Sequence, residues 1–240
     1  MMPNVENQRS YSSACRSDTK KDTSFGIVVI DYGMGNLRSV AKALESLGAS
    51  VVLSSHSKDI EKAEKLVLPG VGAFGDAVRE LKKRHLFNCL KERIKDKEVN
   101  FLGICLGLQL LFEKSDESKG IKGLGILKGT SRPFPNSVKV PHIGWNNIKV
   151  KGKRFLPVRQ AGKVKGNICP LLRGIPDDSF FYFCHSYFVV PQDKTIIAAT
   201  TNYGRDFASV IWKDNIFGVQ FHPEKSQAIG LKILENFLRF

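Results

Sequence analysis

Cys105 lies in Gly103-Ile104-Cys105-Leu106-Gly107, between an apolar run that reads as a strand and the start of a helical pattern. A nucleophile with a glycine two residues away on each side marks a strand-to-helix elbow, a sharp turn that exposes the central side chain. The N–H of Leu106, next in the chain, is placed to donate to an oxyanion forming beside the sulfur. A small buried hydrophobe at a tight crossing is the plainer reading of a bare cysteine, and the flanking glycines favour the nucleophile. A thiolate nucleophile needs a base, and the base needs an orienting group. His222 and Glu224 supply both in Gln220-Phe221-His222-Pro223-Glu224, directly after an apolar strand pattern. Pro223 disfavours helix at His222, and a carboxylate two residues on can hold the imidazole in one tautomer. Pro69-Gly70-Val71-Gly72 ends another strand pattern. It reads either as a simple turn or as a source of backbone N–H groups, from Val71 or Gly72, for the same oxyanion. Gln109, one helical turn after Cys105, falls on the same helix face and could recognise a polar substrate.

These groups meet only if distant strand ends converge. Apolar runs rich in β-branched residues occupy 26–30, 51–53, 65–68 and 99–104. Between the first two, Leu37, Val40, Ala41, Leu44 and Leu47 recur at helical spacing, and Gly48 is a natural stop. This is a β-α-β unit, which builds parallel sheet. Further helices are expected over 76–87, around 90–94, over 106–112 and over 228–238. After 113 the chain turns to short strands with Gly and Pro, and strands are expected over 180–190, 195–200, 209–212 and 216–221. The expected fold over 25–240 is therefore α/β. An open, largely parallel central sheet is flanked by helices, and the C-terminal half is antiparallel. Sites in such sheets assemble at strand ends.

The chain has 240 residues, 42% hydrophobic and 25% charged. That is enough for a substantial core and excludes collagen-like, wholly disordered and disulfide-scaffold classes. No apolar run approaches the roughly 18 residues of a membrane span, so no membrane association is expected. Residues 1–24 are polar and Ser-rich, without the apolar stretch of a signal peptide. They read as a disordered or vector-derived extension, which leaves the cytoplasm as the expected location. Cysteines 15, 89, 105, 169 and 184 have no zinc or dithiol spacing. That scatter suits a reducing compartment and gives no reason to expect a metal. The net charge of +14 arises almost wholly in 118–176, which holds thirteen basic residues and no acidic one. A solvated face, an acidic protein partner, a phosphorylated ligand and nucleic acid all fit that imbalance. Within it, 149–173 reads as a basic inserted loop. It has a single Phe and no reader motif, so no nucleic-acid partner is expected. The Gly-rich turn Asp31-Tyr32-Gly33-Met34-Gly35-Asn36 lacks both G-x-G-x-x-G and a Walker lysine, so no nucleotide cofactor is expected.

Taken together, the Cys elbow, Phe221-His222-Pro223-Glu224-Lys225-Ser226 and His185-Ser186-Tyr187 resemble the class I glutamine amidotransferases. Three segments narrow the resemblance: Gly33-Met34-Gly35-Asn36, Leu68-Pro69-Gly70-Val71-Gly72-Ala73-Phe74, and Pro141-His142-Ile143-Gly144-Trp145-Asn146. They point to the branch whose members feed ammonia to a cyclase making imidazole glycerol phosphate in histidine biosynthesis. The likeness covers about 26–240. It implies a Cys105-His222-Glu224 triad that hydrolyses glutamine through a γ-glutamyl thioester without cofactor or metal. Val71, Gly72 and Leu106 would then stabilise the oxyanion, and Gln109, Ser186 and Tyr187 would bind glutamine. The implied partner is a (β/α)₈ cyclase subunit in a heterodimer, with Asn36, Trp145 and Lys225 in segments that match the docking face. Gating of the oxyanion peptide by the loaded cyclase is implied too. The first 24 residues and an insertion over about 152–167 depart from the family pattern. A peptidase- or deglycase-like enzyme with a Cys elbow is the first competing reading, opposed by His222-Pro223-Glu224 and the early glycines. A glutaminase serving pyridoxal phosphate synthesis is opposed by Gly33-Met34-Gly35-Asn36 and His142-Ile143-Gly144-Trp145-Asn146.

Overall fold

The computed structural model describes residues 25–151 and 168–240. The expectations for 1–24 and for the insertion over 152–167 lie outside the described residues. The N-terminal half runs β1 (Phe25–Ile30), α1 (Leu37–Ser46), β2 (Val51–Ser54), α2 (Ser57–Lys62), β3 (Ala63–Gly70), α3 (Phe74–Lys83), α4 (Leu86–Lys95), β4 (Asn100–Cys105) and the short α5 (Leu106–Leu110). The second half runs β5 (Phe112–Ser115), β6 (Leu127–Pro133), β7 (His142–Asn147), β8 (Lys149–Val150), β9 (Phe180–His185), β10 (Tyr187–Pro191), β11 (Ile197–Asn202), β12 (Asp206–Lys213), β13 (Ile216–Val219) and α6 (Gln227–Leu238).

Eight strands form the main sheet in the order β2-β1-β3-β4-β13-β12-β11-β8. The first five pair in parallel and the last three antiparallel, which is the expected fold class. Helices cover both faces, so the central strands β1, β4 and β13 carry apolar side chains on both sides of the sheet and not only at alternate positions. In β1, Val28 and Ile30 join the core that contains Ala77, Leu81, Leu86 and Leu90 of α3 and α4. Ile27 and Val29 join the opposite core, with Val40 and Leu44 of α1 and Ile233, Leu234 and Phe237 of α6. Two smaller sheets, β10-β6-β5 and β7-β9, carry the rest of the second half.

Four expected boundaries are corrected, the first being the helix expected over 76–87, which breaks at Arg84 and His85 so that its end belongs to α4. The loop expected over 149–173 is shortened from both ends. Lys149 and Val150 form β8 against β11, and Pro170–Leu172 is a 3-10 turn with Leu171 and Leu172 buried. Asn236 of α6 ties that turn down by donating to the carbonyls of Leu171 and Arg173 at 2.8 and 2.7 Å. A two-residue strand is too short to show alternation, and the surrounding lysines conceal it. The strand expected over 180–190 is two strands in different sheets, broken at Ser186: β9 pairs with β7, and β10 with β6. Both halves are apolar and β-branched or aromatic, so composition does not reveal the change of partner. The helix expected over 106–112 ends at Leu110, because Phe112 starts β5.

Register aligns the strand ends that matter. Gly70 of β3 pairs with Cys105, and Ile104 of β4 pairs with Val219 of β13. The corner after β4 is packed backbone to backbone. A Cβ at Gly107 would lie 1.8 Å from the Leu68 carbonyl oxygen, and one at Gly103 would lie 2.7 Å from the Gly107 carbonyl oxygen. Gly107→Ala is therefore expected to lower the free energy of unfolding in urea by about 3 kcal/mol or more. Gly120→Ala, at φ +80° with nothing within 4 Å of its Cβ, is expected to cost only about 1–2 kcal/mol.

Candidate active site

Cys105 ends β4 at φ 55° and ψ −105°, a left-handed position that a residue with a Cβ rarely takes. The two close glycine contacts leave the turn no other path, and strain of this kind concentrates at working sites. The side chain is nearly buried. Its sulfur lies 3.7 Å from Gln220 Nε2, which donates to it, and 3.8 Å from the Cys184 carbonyl oxygen. With five residues, α5 offers the sulfur the free N–H groups of one turn and not a long helix dipole. The larger electrostatic partner is therefore the imidazole opposite.

His222 follows β13 with an extended backbone and leads into the 3-10 turn Pro223–Lys225. Its position is fixed by hydrogen bonds to β9. The His222 N–H donates to the Tyr182 carbonyl at 2.9 Å. The Ser226 hydroxyl donates to the His222 carbonyl at 2.6 Å and accepts from the Tyr182 N–H at 3.0 Å. His222 Nδ1 is 2.9 Å from Glu224 Oε1, and both side chains are almost wholly buried. The carboxylate accepts from Nδ1–H and leaves Nε2 for Cys105, with which the ring shares a hydrogen bond. Burial alone would disfavour the charged ring. The hydrogen bonds to Cys105 and Glu224, with the negative charges of both groups, outweigh it and lift the His222 pKa to about 10.

A cavity of about 320 Å³ opens over the sulfur. Val71, Gly72, Leu106, Gln109, Ser186 and Tyr187, all expected at the site, line it together with Cys105. His222 and Glu224 are not on its wall and reach the site through the sulfur. Gln109 is buried, and its Nε2 donates to the Tyr187 carbonyl at 3.0 Å, so its amide N–H holds the wall of the cavity. Five further groups come to the site unforeseen, Pro141 on the cavity wall among them. Glu117 puts a carboxylate on the wall and accepts from the Phe74 N–H at 2.7 Å; Cys184 and His185 line the cavity; and Gln220 reaches the sulfur. Strand alternation puts Gln220 on the same side as His222, a signal present in the sequence. Nothing local marks Glu117.

Of the three residues expected at a docking face, Trp145 is 47% exposed and meets Tyr182 edge-on at 6.2 Å. Lys225 Nζ sits 5.7 Å from the centre of the same tyrosine ring. Ile143 and Phe180 extend this face as exposed apolar side chains. Asn36 is half-buried and accepts from the Ser39 hydroxyl at 2.8 Å, within its own helix start.

The family model for "Glutamine amidotransferase class-I" matches residues 28–239. A Methanocaldococcus jannaschii protein named imidazole glycerol phosphate synthase subunit HisH is 49% identical over 215 residues, covering 88% of this chain and 98% of its own length. The Aquifex aeolicus protein of the same name is 50% identical over 213 residues, 88% of this chain and 95% of its own. Among solved structures, a glutamine amidotransferase superposes with TM-score 0.65 at 15% identity, covering 89% of this chain and 98% of the other. PurLQS from Thermotoga maritima superposes with TM-score 0.64 at 19% identity, covering 90% and 98%. At these identities the superpositions speak to the fold.

The raised His222 pKa has a consequence for stability. Its folded value of about 10 exceeds the ordinary 6.5, so the folded state holds the proton more tightly. The resulting stabilisation is complete below pH 6.5 and drains away as pH rises through 10. Urea unfolding of the native chain and His222→Gln across that window is expected to show the native advantage shrinking steadily with pH.

Proposed function

This chain belongs to the class I glutamine amidotransferases and, within them, to the imidazole glycerol phosphate synthase HisH subunit family, and we propose how its site releases ammonia from glutamine. It is the glutaminase subunit of that synthase. The observation that carries the mechanism is the buried line Glu224–His222–Cys105, which ends with the sulfur on the wall of a cavity of about 320 Å³.

Cys105 sulfur attacks the γ-carbonyl carbon of glutamine. The oxyanion that forms is stabilised by the Leu106 N–H and the Val71–Gly72 peptide. Collapse of the tetrahedral adduct breaks the C–N bond. His222 gives its proton to the departing nitrogen, so ammonia leaves and a γ-glutamyl thioester remains. The causes of the high imidazole pKa then explain the second half. Once acylated, the sulfur carries no charge and no longer pairs with the ring, so burial regains weight and the ring loses affinity for its proton. Neutral His222 can then draw a proton from water as the water attacks the thioester. Glutamate leaves, and the sulfur and ring return to their starting charge states. Glu224 holds the ring throughout.

Glu117 complements the α-ammonium group of glutamine, since it is the carboxylate on a cavity wall otherwise lined by neutral groups. Ser186 and Tyr187 bound the same cavity and would meet the substrate backbone. The ammonia passes to a (β/α)₈ cyclase partner, which makes imidazole glycerol phosphate and an aminoimidazole carboxamide ribotide. The partner docks on the face with Trp145, Lys225, Ile143 and Phe180. Val71 is 42% exposed at the cavity, where a docked partner could act on the oxyanion peptide. The free thiols of Cys89, Cys105, Cys169 and Cys184 suit a cytoplasmic setting.

Glutamate release, measured with and without the ligand-loaded cyclase, tests the reading. Cys105→Ser is expected to lower it at least about 1,000-fold in both conditions. Glu117→Gln is expected to raise KM for glutamine about tenfold with little change in kcat, as loss of ground-state binding requires. Retained turnover in Cys105→Ser would exclude the covalent route.

A further inference from the structure

Two histidines that take no part in the chemistry are buried beside the cavity. His142 opens β7 and His185 closes β9, directly opposite one another in the antiparallel register. They are 3% and 6% exposed. His142 Nδ1 lies 3.1 Å from His185 Nε2, and His185 Nδ1 lies 2.8 Å from the Tyr187 carbonyl oxygen. At the other end, Asn146 Nδ2 lies 3.3 Å from His142 Nε2.

The proton positions in this chain of contacts are determined from both ends. A carbonyl oxygen only accepts, so His185 carries its hydrogen on Nδ1. The Asn146 amide has one orientation, because its Oδ1 accepts from the Asn147 N–H at 2.9 Å and its Nδ2 donates to the Asn202 carbonyl at 3.0 Å. His142 Nε2 must therefore accept, which leaves its hydrogen on Nδ1, aimed at the bare Nε2 of His185. A second proton on either ring would set a donor against a donor. Burial agrees, holding His142 down to about 4 and His185 down to about 3. The titratable groups facing the pair are each ring itself, His222, whose charge lowers His185 further, and Tyr203, stacked on His142 at 4.0 Å. Phe183 closes the other face of His142, and Phe134 and Phe207 lie against His185.

The chain of hydrogen bonds ends on a carbonyl that is itself part of the site. Tyr187 O takes one hydrogen from His185 and another from Gln109 Nε2 at 3.0 Å, and Gln109 stands on the helix that Cys105 begins. We propose that His142 and His185 are positioning residues, a strut of two neutral imidazoles that fixes the Ser186–Tyr187 wall relative to the Cys105 sulfur and so sets the affinity for glutamine. This rests on the glutaminase reading above, and it separates binding from the reactivity of the sulfur.

The test uses the full chain and two alkylating probes: a diazoketone analogue of glutamine, which must be recognised, and iodoacetamide, which need not be. His142→Phe keeps the stack between Tyr203 and Phe183 but leaves His185 Nε2 unpaired. Its half-saturating diazoketone concentration is expected to rise about tenfold, with the maximal labelling rate and the iodoacetamide rate within about twofold of native. His142→Asn, whose amide restores an N–H near the Nδ1 position, is expected to recover most of the affinity. A structural defect would move both probes together and would not be rescued. In the native chain, ¹⁵N spectra of the imidazoles are expected to show both rings neutral and protonated on Nδ1 near pH 7, a reading independent of whether any variant folds. Unchanged affinity in His142→Phe, parallel loss with both probes, or an Nε2–H or doubly protonated ring in the native spectrum overturns the strut. Failure of the diazoketone to saturate Cys105 in the native chain overturns the glutaminase reading instead, while the spectrum still decides the strut.

Discussion

The parallel register of β3, β4 and β13 is the constraint on which the rest depends. Gly70 sits beside Cys105, and Ile104 beside Val219, so the chain leaves all three strands at one edge of the sheet. A slip of one residue in β13 would turn Gln220 and His222 to the opposite face and separate imidazole from sulfur. The apolar side chains on both faces prevent that slip. Phe217 and Val219 belong to the core under α6, while Ile216 belongs to the other core, and a shift would exchange them. Burial energy distributed over the sheet thus supplies the precision that the proposed covalent chemistry needs.

That precision comes with local costs which the fold absorbs. Cys105 holds a backbone angle unfavourable for its type, and Glu224 Oε2 and Gln220 Oε1 are buried without hydrogen-bond partners. An unpaired buried acceptor costs roughly 1–3 kcal/mol, so the region around the sulfur is less stable locally than its apolar surroundings. The main-chain hydrogen bond from the His222 N–H to the Tyr182 carbonyl of β9, together with the Ser226 hydroxyl, compensates by fixing the turn from two sides. The stacked rings of Phe181 and Phe221, 4.1 Å apart, close the space beneath.

What was legible in the sequence was local. The Cys105 elbow, the His222–Glu224 spacing and the glycines near Val71 each fit within a few residues, and strand ends of an α/β sheet gave them a place to meet. What was not legible depends on pairing between distant strands. Gln220 gains meaning only when β13 lies beside β4, and Glu117 only when the segment after β5 folds back on the start of α3. The contact between His142 and His185 exists because β7 pairs with β9, and the break at Ser186 exists because β10 leaves for another sheet. Periodicity reports which side of a strand is buried but not which strand lies alongside it. The insertion misled for a related reason: its lysines dominate the composition of 149–173, whereas the few apolar residues at its ends decide the packing.

Two buried imidazoles, His185 on the cavity wall and His222 behind the sulfur, differ in charge state and show how environment divides labour between identical groups. His222 and His185 are both buried, and burial opposes the charged form in each. The difference lies in their partners. His222 is flanked by a carboxylate and a sulfur, both able to be negative, and keeps its proton. His185 meets a neutral carbonyl and another neutral ring, and the positive charge of His222 weighs against its own. The charge on one ring therefore helps to keep the other neutral, which under the proposed mechanism confines the mobile proton to the ring that passes it to the leaving nitrogen. If both rings could take it, that proton would be shared with the wall that the proposed strut holds in place. Keeping the pKa values of two buried imidazoles apart thus joins the chemistry proposed for the sulfur to the shape of the pocket.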